Sequence, residues 1–66
     1  MSTRQLVSMF AASDIAWAIG EVIDGRNPRR VVGDLEAAND HALPRDAARL
    51  FAAYLTRAAR EATGAI

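Results

Sequence analysis

The stretch STRQLVSMFAASDIAWAIGEVIDG, residues 2–25, decides how this chain folds. It opens with Ser2 and Gln5, the spacing of a capping box, in which side chain and backbone satisfy each other's free groups at a helix start. It closes on Gly25, the residue that most readily takes the left-handed conformation just past a helix end. Its apolar stripe changes phase along the way. At about 100° per residue, Leu6, Phe10 and Trp17 share one side, while Ala12, Ile15, Ala16, Ile19, Val22 and Ile23 lie roughly opposite. The polar residues follow, with Gln5 and Ser8 opposing the first group and Asp14, Glu21 and Asp24 the second. Two arrangements satisfy this pattern. Either the helix breaks near Ser13–Asp14, with Ser13 capping a second helix, or one helix, straight or kinked, buries opposite faces at its two ends. The second needs two neighbours, such as the rest of the chain and a second copy. We expect the single helix, residues 3–24.

Outward from this stretch, Asn27 is a favoured N-cap and Pro28 suits a first helical turn, so a second helix is expected over residues 28–41. Val31, Val32, Leu35, Ala38 and Ala42 form its apolar face. Leu43 precedes a proline and should leave the helical region. Pro44 then opens a third helix, residues 44–62, with Asp46 in the first turn, where a negative charge is favourable. Ala47, Leu50, Phe51, Tyr54, Leu55, Ala58 and Ala62 form one arc of it, and Arg45, Arg49, Thr56, Arg57 and Arg60 the other. Nothing alternates with the period of a strand. The expected fold is all-α: a single domain, residues 1–66, in which a long first helix and two shorter amphipathic helices form an antiparallel three-helix hairpin or small bundle. The short link at Gly25–Asn27 sets the first two helices antiparallel.

Size makes this core thin. The chain has 66 residues, and 15 of its 34 apolar residues are Ala. Small domains complete such cores with disulfides, metals or oligomerisation. There is no Cys, and the single His has no ligand partners at metal spacing. No metal or cofactor is therefore expected, and a homodimer is. No apolar run approaches a bilayer-spanning length, and the N-terminus lacks the long uncharged core of a signal peptide. A cytoplasmic protein, of the bacterial or phage type that Arg-only, Ala-rich composition suggests, is the expectation.

The candidate chemistry is sparse. His41 is the lone imidazole, and Asp40, adjacent in sequence, does not face it on a helix. Ser8 and Ser13 lack a nucleophile elbow, and the glycines build no phosphate loop. No enzyme is expected. The basic face formed by Arg45, Arg49, Arg57 and Arg60 is diluted by Asp46 and Glu61, and an Arg57–Glu61 pair is available at helical spacing. Arg45 would pair with Asp34 or Asp40 if the fold brought them close. Arg26, Arg29 and Arg30 form a second basic cluster. The net charge of zero divides into −2 over residues 1–43, where four Arg meet six acids, and +2 over residues 44–66, where four Arg meet two.

The expected function is a small helical regulator or inhibitor, a homodimer that covers a surface of another protein. Leu6, Phe10 and Trp17, with Met9 beside them and Phe51 and Tyr54 on the last helix, are the expected partner or dimer interface. The alternative is a helix-turn-helix regulator reading DNA with the helix from Pro44, through Arg45 and Arg49. Zero net charge disfavours nucleic acid.

Overall fold

A computed structural model of the chain describes residues 2–64; Met1, Ala65 and Ile66 of the expected domain lie outside the described residues. Four helices form: α1 (Thr3–Ser8), α2 (Ala12–Ile23), α3 (Pro28–Ala38) and α4 (Arg45–Ala62). No strand occurs among the described residues.

The expected long first helix is two. α1 carries the anticipated capping box, with the Gln5 amide N–H donating to Ser2 Oγ at 3.2 Å and the Ser2 N–H to Gln5 Oε1 at 2.8 Å. Its last turn tightens, with the Met9 and Phe10 N–H groups donating to the Leu6 and Val7 carbonyls. Ala11 is then extended (φ −63, ψ 147) and serves as the N-cap of α2 with no side-chain hydrogen bond. The break falls earlier than the Ser13–Asp14 alternative placed it, and Ser13, the cap of that alternative, lies inside the first turn of α2. The reason is the phase change. A straight helix would turn Leu6 and Phe10 away from the side that holds Ile15 and Ala18. The corner at residues 9–11 brings all four into one core, where Leu6 and Ala18 are 0% exposed and Phe10 and Ile15 7%. Burying a Leu or Phe side chain contributes about 1.5–3 kcal/mol. The N–H groups freed at the corner belong to Ala11, Ala12 and Ser13, all exposed and so accessible to solvent.

α2 ends where expected. Gly25 takes φ +97, its N–H donates to the Val22 carbonyl, and the Arg26 N–H donates to the Glu21 carbonyl. These two bonds are a Schellman motif. Asn27 Oδ1 accepts from the Arg29 N–H at 2.9 Å and starts α3, with Pro28 in the first turn. α3 stops at Ala38, three residues short of the expected 41. Asp40 takes φ +48, and the Asp40 and His41 N–H groups donate to the Ala37 and Glu36 carbonyls, a second Schellman motif without glycine. The Glu36 carboxylate accepts from the Leu43 N–H at 2.7 Å and ties the following loop back to α3. Pro44 is the N-cap of α4 rather than its first helical residue.

α4 is the central element, packed against α1, α2 and α3. Its buried arc is Ala47, Phe51, Ala52, Leu55 and Ala59. Compared with the expected arc, Ala52 and Ala59 enter, Leu50 is 38% exposed, and Ala62 lies outside. On α3, Val31, Val32 and Leu35 are buried as expected, whereas Ala38 and Ala42 are exposed. Phe10 joins the corner to α4, its ring centroid 5.2 Å from that of Phe51. No polar or charged residue among those described is buried. The Cα radius of gyration is 10.9 Å, against about 10.8 Å expected for a domain of this length. One copy therefore closes a core of its own, so a second copy is not needed to bury Leu6 or Phe10.

Candidate functional site

The residues expected at an interface separate into two groups. Leu6, Phe10 and Phe51 are buried within the chain, at 0%, 7% and 0% exposure. The N-terminal surface patch anticipated around them is therefore broken up: the α1–α2 corner turns Leu6 and Phe10 inward and leaves Met9 exposed. Trp17 stays outside at 44% exposure, and Tyr54 is half-buried where α1 meets α4.

Trp17 belongs to a face that the sequence pattern assigned elsewhere. Once Ile15 and Ala18 point to the core, Ala12, Ser13, Ala16, Trp17, Gly20 and Ile23 fall on the outer side of α2. Ile23 is 42% exposed. Along this side Ala16 and Gly20 form a low strip between Trp17 on one edge and Ile23 on the other. It carries no charge until Asp24, the C-cap.

A second apolar surface lies between α1 and α4. Thr3 and Val7 of α1 and Leu50, Ala53 and Tyr54 of α4 line two adjoining clefts that share Thr3 and Tyr54. Arg4 borders this groove from α1 and Arg57 from α4. A third cleft continues past Leu50 to Ala47 and Pro44, with Asp46 at that end. Sequence periodicity missed this groove because it placed Leu50 in the buried arc. The signal available was Leu50 lying about 60° beyond Ala47, outside an arc that already spans about 140° from Ala47 to Ala52.

The basic face is exposed throughout, at Arg45, Arg49, Arg57 and Arg60. None of these takes part in an ion pair among the described residues. The Arg57–Glu61 pair anticipated from spacing is not formed, nor does Arg45 pair with Asp34 or Asp40. Both ion pairs belong to Arg26, which reaches Glu21 of α2 at 2.9 Å and Asp34 of α3 at 2.8 Å. Its hydrogen bonds to Glu21 and then Asp34 hold its guanidinium still further above the ordinary arginine value. Arg26 is thus consumed in bracing the α2–α3 turn and drops out of the basic cluster expected with Arg29 and Arg30.

His41 is exposed, with its ring edge-on to Phe10 at a centroid distance of 6.3 Å. It covers the end of the core. Among the described residues no group of three or more His, Cys, Asp or Glu side chains is placed to hold a metal ion, and no helix is long and apolar enough to cross a membrane. The arrangement leaves two surfaces open, the outer side of α2, with an uncharged strip edged by acids, and a groove rimmed by arginines. Comparison of the chain with protein-family models, with curated proteins and with solved structures finds no match.

Proposed function

We propose that this chain is a non-catalytic, protein-binding regulator, working in the cytoplasm as a homodimer whose seam is the outer face of α2 and which acts by covering part of another protein. The observation that carries this reading is Trp17, 44% exposed at the centre of a helix, with Ile23 at 42% across an uncharged strip of Ala16 and Gly20; Asp14 and Glu21 flank Trp17 on its other side, and Glu21 is paired with Arg26. A large aromatic kept at the surface next to an uncharged strip of small residues is the kind of residue that anchors an interface.

Symmetry favours a second copy as the occupant. A twofold interface sets one patch against itself, so any charge near the axis meets its own kind. Along the centre line of the α2 face, at Ala12, Ala16, Gly20 and Ile23, there is no charge, whereas the groove carries arginines on both rims. An antiparallel pairing centred near residue 18 sets Ala16 of one copy opposite Gly20 of the other, where small side chains let the helices approach. It also brings Asp24 of each copy towards the other's α2 N-terminus, which has no side-chain cap and carries the positive end of the helix dipole.

Trp17 is the chain's only tryptophan, so its fluorescence reports on this face alone. Sedimentation and emission should be followed together over a concentration series. A dimer forming at micromolar concentration, with the emission maximum moving to the blue as it forms, is the expected result. Trp17→Glu should weaken the dimer by about 100-fold or more, the scale of a lost interface centre. A monomer throughout, with emission independent of concentration, overturns the reading. A gel shift with mixed duplex DNA, steep in salt and lost in Arg45→Ala or Arg49→Ala, would replace it with the nucleic-acid alternative.

A further inference from the structure

We propose that the groove between α1 and α4 is the partner-binding site, and that its occupant is an acidic amphipathic helix of another protein. The inference rests on the protein-binding reading above and adds to it a location and a partner chemistry.

The lining comes first. From Val7 through Ala53 to Leu50 the floor offers apolar side chains, with the hydroxyls of Thr3, Ser8 and Tyr54 among them, and Leu50 is 38% exposed. Such a floor takes apolar side chains.

Charge then selects among apolar occupants. Arg4 and Arg57 stand at the groove on opposite helices, both exposed and neither in an ion pair. No acid lines the stretch from Val7 to Leu50; the one acid along the whole groove is Asp46, beyond Leu50. An occupant with carboxylates flanking its apolar stripe meets a guanidinium on each side. A second copy docking by twofold symmetry would bring this arginine rim against itself, which assigns the groove to a different chain.

Backbone chemistry then selects a helix. The walls are helices whose N–H and C=O groups are satisfied internally, so they offer no edge to an extended strand. The occupant must satisfy its own backbone, as a helix laid in a groove does. Between Ala47 and Arg57, α4 runs about 15 Å, which matches roughly three helical turns.

The test uses the full chain, labelled with nitrogen-15, and two synthetic peptides about four turns long, acetylated and amidated. One carries a leucine stripe at helical spacing flanked by glutamates; its twin has lysines in place of the glutamates. The glutamate peptide is expected to shift the amides of Thr3, Arg4, Val7, Ala53, Tyr54 and Arg57, and the lysine peptide to bind at least tenfold more weakly. Arg57→Glu should cut the glutamate peptide's affinity about tenfold, the scale on which charge reversal acts at a desolvating contact, whereas Arg57→Lys should largely retain it. Both replacements are at an exposed position, and unchanged thermal midpoints verify that they fold. Equal binding of the two peptides, shifts on the outer face of α2 instead, or no shifts at millimolar peptide overturns the proposal. So do groove shifts that grow with protein concentration in the absence of peptide, which would give the groove to a second copy. Sedimentation of the same samples separates the two readings. A dimer indifferent to the peptide removes the groove assignment alone, and a peptide-binding monomer removes the dimer alone.

Discussion

α2 begins and ends at corners made by different physics. Its C-terminal corner is local: Gly25 at φ +97, the two Schellman hydrogen bonds, Asn27 as cap, Pro28 in the next turn, and Arg26 bridging Glu21 and Asp34. Every one of these parts lies within the turn or on a helix beside it. The N-terminal corner has none of them. Met9, Phe10, Ala11 and Ala12 contain no Gly or Pro, and the N-cap is an alanine. That corner exists because Phe10 reaches Phe51 and His41, which lie far along the chain, and because Leu6 is fully buried. One corner survives on its own chemistry; the other is imposed by the core.

The difference explains what the sequence allowed to be read. Gly25, Asn27 and Pro28 announce their corner by residue type, and the Ser2–Gln5 box announces the start of α1. Residues 9–11 announce nothing by type. Their only trace was the phase change between Leu6–Phe10 and Ile15–Val22, which permitted a break or a two-sided helix. Helix propensity argued for continuity through Ala11 and Ala12, and core burial overrode it. The same step decided the candidate site. Phe10 and Trp17, seven apart, share a side on a continuous helix; with the corner between them, one is core and the other surface. The α1–α4 groove was less legible still, because it depends on where α1 lands on α4, and α1 was not seen as a separate element. The basic face was legible and is exposed, but residue spacing alone did not reveal that Arg57 borders an apolar groove.

The sharpest way to break this contrast is Phe10→Ala. Truncating a buried Phe costs about 3–5 kcal/mol, and a chain of this size has about 3–10 kcal/mol in all. Urea denaturation followed by circular dichroism should show the midpoint fall to a fraction of its original value. A loss under about 1 kcal/mol would mean the N-terminal corner holds itself, and the contrast with Gly25 would disappear.

Gly25→Ala probes the other corner at smaller scale. No atom lies within 4 Å of where the new Cβ would sit. The cost is therefore backbone alone, about 1–2 kcal/mol for a left-handed residue with a side chain. The denaturant slope should stay unchanged, because the corner can absorb the strain without opening the core. A much larger loss would show that this corner too is coupled to the core.

Asp40 turns the same comparison around, with the smallest effect. It occupies in the second Schellman motif the position that Gly25 holds in the first, at φ +48. Asp tolerates that conformation better than most residues but still at some cost. It also places a negative charge at the C-terminus of α3, where the helix dipole is already negative, an unfavourable arrangement of about 0.3–1 kcal/mol. Asp40→Gly removes both penalties. Against them stands the greater freedom of glycine in the unfolded chain, worth about 0.4–1 kcal/mol. The balance is a gain of about 0.5 kcal/mol, opposite in sign to Gly25→Ala. Asp40→Asn separates the contributions: it keeps a side chain suited to φ > 0 and discharges the helix end, so any gain it shows is electrostatic and should shrink with added salt. If Asp40→Gly instead destabilises while Asp40→Asn does not, the residue's side chain contributes a contact that outweighs its backbone strain, and the two Schellman ends are not equivalent.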